Sequence, residues 1–173
     1  MSFLELAKKR YSVRVYKDRM VEEEKLLKIL EAGRVAPTAA NRQPQRLIVV
    51  RSKEGIEKLK KAANIHGAPM AIVVCADLNR VWTRSYDNAN TADIDASIVT
   101  DHMMHEATAL GLGTLWICHF EPDVLRSEFN LPENLKPVNI LAIGYADREP
   151  ESPDRHDKTR KPLCVTVYYE ELR

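Results

Sequence analysis

The chain has 173 residues, 26 basic against 25 acidic, with 45% hydrophobic and 29% charged side chains. Its length suits one hydrophobic core, so a single domain over residues 1–173 is expected, and its composition excludes a disordered polypeptide. A net charge of +1 lacks the field expected of a binder of nucleic acid or of anionic membranes.

The first dozen residues, MSFLELAKKRYS, have no apolar centre of signal-peptide length, and no run nears the ~18 apolar residues of a membrane-spanning helix. Three cysteines, Cys75, Cys118 and Cys164, lie far apart without a C-x-x-C pair. Reduced thiols and a cytoplasmic location are the expectation.

Ser2 to Lys9 reads as a short helix, with Ser2 as N-cap and Glu5 completing a capping box. RYSVRVY, residues 10–16, alternates and is extended. Arg10, Ser12 and Arg14 then share one face, while Tyr11, Val13 and Val15 point toward a core. Two guanidinium forks beside a hydroxyl match the oxygens of a phosphate monoester; a solvated basic edge strand fits the same pattern.

A second helix runs from about Val21 to Ala36, with Leu26, Leu27, Ile29, Leu30 and Val35 as its apolar face. Pro37 stops it. A run of small, uncharged residues, Thr38, Ala39, Ala40 and Asn41, separates that stop from the strand RLIVV. SKEGIEKLKKAAN is helical with its charges outward, and MAIVVCAD, apolar nearly throughout, is a strand buried on both faces.

A long helix covers about Thr91 to Leu110 and ends at Gly111. Small or apolar residues nearly all round predict burial on several sides, favouring a helix at an oligomer interface over the centre of a monomer. Strand TLWIC, helix EPDVLRSEF and strand VNILAIGYA follow, giving a mixed α/β pattern. ADREPESPDRHDKTRKP is a polar surface loop, and LCVTVYYE a last extended piece.

Several chemistries are absent. Gly111-Leu-Gly113 lacks a third glycine and closes a helix, so it is a C-cap and turn, not a dinucleotide fingerprint. Neither G-x-x-x-x-G-K-[ST] nor G-x-S-x-G occurs. His102 and His105 do not form H-E-x-x-H and read as a packing pair; no metal is expected. Cys118 and His119 point to opposite sides of a strand and make a poor nucleophile and base. Lys158 and Arg160 repeat the spacing of two seen at Arg10 and Ser12. The two basic groups either converge on one anion or are separately solvated.

RYSVRVY, APTAANRQP, GLGTLWI and KTRKPL occur in this order in the chain, which thereby resembles the nitroreductase family of FMN-dependent oxidoreductases over nearly its whole length. The resemblance implies an α+β fold with a mixed central sheet flanked by helices, assembled as an intertwined homodimer with FMN at the interface. It implies that Arg10, Ser12, Arg14, Lys158 and Arg160 contact the ribityl phosphate and ring edge. Trp116 and Ile117 lie beside the ring, Pro37, Thr38, Ala39 and Asn41 come from the neighbouring chain, and segment 163–173 reaches the partner.

The implied reaction is hydride transfer from NADH or NADPH to the flavin, then reduction of a small-molecule acceptor such as a nitroaromatic or quinone, with no side chain as essential acid or base. Two alternatives stay open: a flavoenzyme of the same fold acting on a particular metabolite, and a flavin-holding electron carrier. Met20 stands where the family often has proline, and Gln45 where many members have tryptophan.

Overall fold

The computed structural model describes residues 1–172. Helix α1 (Phe3–Lys9) starts with the expected capping box: Ser2 Oγ accepts from the Glu5 N–H at 3.2 Å, and the Ser2 N–H donates to Glu5 Oε2 at 2.6 Å. Helices α2 (Glu23–Val35), α3 (Lys53–Ala62), α4 (Ala92–Ala109) and α5 (Pro122–Phe129) follow, with strands β1 (Gln45–Val50), β2 (Met70–Asp77), β3 (Gly113–Ile117) and β4 (Leu135–Gly144) between and after them. Two short helical turns, α6 (His156–Thr159) and α7 (Leu163–Thr166), lie near the C-terminus.

The four strands form one sheet in the order β1-β2-β4-β3, with every neighbouring pair antiparallel. Its one parallel contact among the described residues is a bridge between Ser12 and Thr114, so the sheet is mixed only there. The fold is α+β. Every residue of β2 is buried, for the reason its unbroken apolar run predicts. Met70, Ile72 and Val74 pack under α2 and α4, while Ala71, Val73 and Cys75 pack under α3 and α5.

Two expectations need correction. Leu27 and Val35 do not join the core; they are 57% and 59% exposed, because α2 meets α4 along Leu26, Ile29 and Gly33 instead. The helix carries a second apolar flank that a single chain leaves uncovered. Nor is LCVTVYYE extended throughout. Leu163–Thr166 make a helical turn after Pro162, closed by the Val167 N–H on the Leu163 carbonyl at 2.8 Å. Its β-branched residues favour a strand only where an edge is available to pair, and residues 161–172 lie exposed without one. Among the described residues no helix is long and apolar enough to cross a membrane.

Candidate functional site

The site begins with how α4 ends. Gly111, at φ 78°, closes it: the Leu112 N–H donates to the Ala107 carbonyl at 2.9 Å and the Gly111 N–H to the Thr108 carbonyl at 3.1 Å. This is the Schellman pattern, and it turns the chain into β3. The next glycine has a different task. A Cβ on Gly113 would lie 2.6 Å from Val13 Cγ2 and 3.1 Å from Val13 Cβ. Only a bare backbone lets the N-terminal segment lie across the start of β3.

That segment is stitched down along its length. The Val13 N–H donates to the Thr114 carbonyl at 2.9 Å, Lys17 N–H to Tyr145 O at 2.8 Å, and Asp147 N–H to Val15 O at 3.0 Å. Val13 is buried, and Ser12 and Arg14 face outward as the alternation requires. Because the Thr114 carbonyl points away from β4 to reach Val13, the backbone N–H and carbonyl of Trp116, two residues along this edge strand, point outward as well. A cavity of about 290 Å³ beside them is lined by Arg14, Trp116, Ile117, Cys118, His66 and His119 among others.

The C-terminal basic group comes to the end of α1, beside Arg10. Arg155 donates to the Lys8 carbonyl at 3.0 Å and to the Arg10 carbonyl at 2.5 Å, tying the segment before α6 to the end of α1. Arg10 is half-buried, and its guanidinium is held below its ordinary pKa, first by burial and then by the charges of Arg155 and Arg160, against an opposing effect of Asp101. Residues 10 and 160 are therefore near enough to repel. Neither Arg10, Arg14, Lys158 nor Arg160 has a side-chain hydrogen bond or ion pair among the described residues. Of these, Arg10 and Arg160 are brought together, and guanidinium groups so placed are donors of the kind that a phosphate dianion such as that of FMN would engage.

The small-residue loop lies elsewhere. Pro37 ends α2, and Ala39–Asn41 form a 3₁₀ turn in which Ala40 and Asn41 take φ of 49° and 51°, followed by Gln43 at 50°. Non-glycine residues hold such angles only when their surroundings fix them. Here the anchor is Asp95, 1% exposed on the inner side of α4. Its carboxylate accepts from the Ala39 N–H at 2.9 Å and from Thr91 Oγ1 at 2.8 Å, while Thr38 Oγ1 accepts from the Gln43 N–H at 3.0 Å. The loop leads into β1, at the sheet edge opposite β3. Three strand spacings, about 14 Å, separate the two edges. One chain thus gathers Arg10, Ser12, Arg14, Trp116, Ile117 and Arg160 on one side and keeps Pro37, Thr38, Ala39 and Asn41 on the other.

A model of the nitroreductase family matches residues 7–65 and 56–145. The chain belongs to the nitroreductase family. A nitroreductase family protein from Clostridium difficile 630 is 62% identical with a TM-score of 0.98, covering 99% of this chain and 100% of that one. An FMN-dependent nitroreductase from Clostridium difficile R20291 is 30% identical with a TM-score of 0.80, covering 98% and 100%. A protein from Methanothermobacter thermautotrophicus named an NADH dehydrogenase/NAD(P)H nitroreductase is 34% identical, over 92% of this chain and 85% of its own length.

Sequence reasoning about this nitroreductase misses Asp95 and Arg155, which touch only backbone and neighbouring side chains of their own fold. The signal for Asp95 was present: an acidic residue amid the small and apolar positions that pack α4. Replacing Asp95 with alanine orphans the part-buried Ala39 N–H and leaves the Thr91 hydroxyl only its 3.3 Å bond to the Trp82 carbonyl. The expected loss is about 2–3 kcal/mol in urea unfolding. An unchanged midpoint would mean that the loop holds itself.

Proposed function

We propose that this chain is an NAD(P)H-dependent flavin oxidoreductase of the nitroreductase type, working as a homodimer. The observation that carries the reading is the meeting of unpaired cations from both ends of the chain, with Arg155 fastening one end to the other. FMN, when bound, supplies the chemistry of accepting a hydride from a reduced nicotinamide and releasing two electrons to a second small molecule. Arg10, Ser12, Lys158 and Arg160 hold its phosphate. Arg14 brings positive charge to the ring's carbonyl edge, and the outward backbone of Trp116 offers hydrogen bonds along β3. The proton that an acceptor needs comes from water, so no side chain acts as essential acid or base.

The names of relatives support both halves of this reading, one being called FMN-dependent and another NAD(P)H nitroreductase. The separation of the two residue groups supports the homodimer. Pro37, Thr38, Ala39 and Asn41 meet the ring beside Trp116 and Ile117 only if a second copy supplies them. The exposed flank of Leu27 and Val35, and an exposed C-terminal segment carrying Val165, Val167, Tyr168 and Leu172, are surfaces for that copy to cover. Segment 163–173 is proposed to cross to the partner, its last residue, Arg173, lying outside the described residues. The whole is read as one domain.

Purified protein should be yellow and carry one FMN per chain, and at least one of NADH and NADPH should bleach it under anaerobic conditions. Colourless protein that takes up no added FMN would overturn the reading. Bound FMN left oxidised by both nicotinamides would make the chain a carrier and not a reductase.

A further inference from the structure

The loop that leads from α2 into β1 carries one cation without a counterpart. Arg42 is exposed and, among the described residues, has no side-chain hydrogen bond or ion pair. Its backbone is fixed all the same. It sits at φ −72° between the left-handed Asn41 and Gln43, with its own N–H on the Ala39 carbonyl at 3.1 Å and the Asn41 N–H on the Thr38 carbonyl at 2.9 Å. A guanidinium that reaches into water from a fixed backbone meets a ligand without first ordering its own loop.

The neighbouring side chains are engaged within the fold. Gln43 Nε2 turns back to donate to the Asn41 carbonyl at 3.3 Å. Arg46 donates to the Gln43 and Gln45 carbonyls and pairs with Asp77 at 3.2 Å. The Asp77 N–H donates to the Pro44 carbonyl at 2.8 Å, so that residue touches the loop, but its carboxylate already holds Arg46, with Arg80 at 3.6 Å. Asp95, the other carboxylate in contact with the loop, is buried and taken by the Ala39 N–H and Thr91. Neither balances the charge of Arg42.

A guanidinium fork with its donors unused is a receptor for phosphate oxygens. In the reading above the phosphate of FMN lies with Arg10 and Arg160, on the β3 side of the molecule. A reduced nicotinamide dinucleotide brings phosphate of its own in the pyrophosphate, and NADPH brings another on the adenosine ribose. The sequence has no dinucleotide fingerprint to hold them, so they need a cation near the place where the nicotinamide meets the flavin. In the dimer proposed above, the Pro37–Asn41 loop of a second copy comes to that ring, and Arg42 is the next residue.

We propose that Arg42 of one copy grips a phosphate group of the reduced dinucleotide whose nicotinamide lies on the flavin held by the other. This inference rests on the flavin reading above. The cofactor is then held by the charges of one copy and the hydride donor by a charge from its partner.

The test compares the holoenzyme with Arg42→Gln and Arg42→Lys. FMN per chain and mass in solution are measured first and should be unchanged. Anaerobic flavin reduction is then followed against concentration for NADH, NADPH and 1-benzyl-1,4-dihydronicotinamide, which carries the same hydride and no phosphate. Arg42→Gln should raise the half-saturating concentration of at least one dinucleotide about tenfold, with the limiting rate and the benzyl compound unaffected. Arg42→Lys, which keeps the charge and loses the fork, should fall between, and added salt should narrow the gap between wild type and Arg42→Gln. A loss shared by NADH and NADPH places the contact at the pyrophosphate, and one confined to NADPH places it at the ribose phosphate. Dinucleotide affinity that stays unchanged, or falls equally with that of the benzyl compound, would overturn the proposal. So would loss of FMN or of the dimer in Arg42→Gln, which would assign this side chain to the cofactor or to the interface. Wild-type protein that lacks FMN, or whose FMN neither dinucleotide reduces, removes the underlying reading instead, and that failure is seen before any variant is compared.

Discussion

Gly113→Ala is expected to cost about 2–3 kcal/mol of stability and to weaken FMN binding by at least tenfold. The added methyl would sit 2.6, 3.1 and 3.2 Å from three carbons of Val13. Val13 is β-branched and 3% exposed, so its γ-carbons have no free rotamer into which to retreat. The backbone of residues 12–14 must therefore lift off β3, breaking the Val13–Thr114 hydrogen bond and its parallel bridge. Overpacking of this kind costs about 1–3 kcal/mol and the lost bond about 1. For a chain of this size the thermal midpoint should fall by about 5–10 °C. The effect on cofactor follows because the same displacement carries Arg10, Ser12 and Arg14 away from Arg160. Calorimetry on apoprotein and a flavin titration measure the two effects separately. Val13→Ala in the same chain removes the clashing γ-carbons and should restore part of both, so a double variant no better than Gly113→Ala would refute the steric account.

That contact explains what the sequence makes legible and what it hides. Local signals survive folding. The Ser2 and Glu5 box, the stop at Pro37, the Gly111 cap and the doubly buried β2 each depend on neighbours a few residues away, which a linear reading sees. The Gly111 cap is read correctly, but Gly113 is the first residue of β3 and not part of a turn, and its reason lies at Val13, 100 positions earlier in the chain (113 − 13), where no periodicity reaches. Leu27 and Val35 mislead for a related reason. An apolar stripe says that something covers it without saying whether the cover is the chain's own core. Asp95 escapes because its partner is a backbone N–H in a loop 56 positions away, and any residue at Ala39 would present that N–H. Arg155 escapes likewise, since its acceptors are carbonyls near the end of α1. Side chains that touch the cofactor leave a residue-type signature, whereas side chains that hold backbone in place leave almost none.

Arg10→Gln should separate binding from folding with opposite signs. In the apoprotein Arg10 sits among Arg155 and Arg160, and its guanidinium is pushed toward its neutral form by burial and by those two charges. Removing the charge relieves that repulsion, so the apoprotein should unfold at the same denaturant concentration or a slightly higher one, the gain shrinking as salt screens the cluster. FMN binding should move the other way. A lost charge-assisted contact to phosphate is worth about 1.5–3 kcal/mol, a Kd raised about 10- to 100-fold, with a weaker dependence on salt. Riboflavin, which lacks the phosphate, should bind variant and wild type alike. Arg155→Gln provides the contrast. That side chain also holds the Lys8, Arg10 and Ser152 carbonyls, so its loss should destabilise the apoprotein as well as the complex. If Arg10→Gln lowers apoprotein stability and leaves FMN affinity intact, the cluster is a structural feature of the α1 terminus and the phosphate lies elsewhere. If riboflavin and FMN lose affinity equally, Arg10 serves the ring and not the ester.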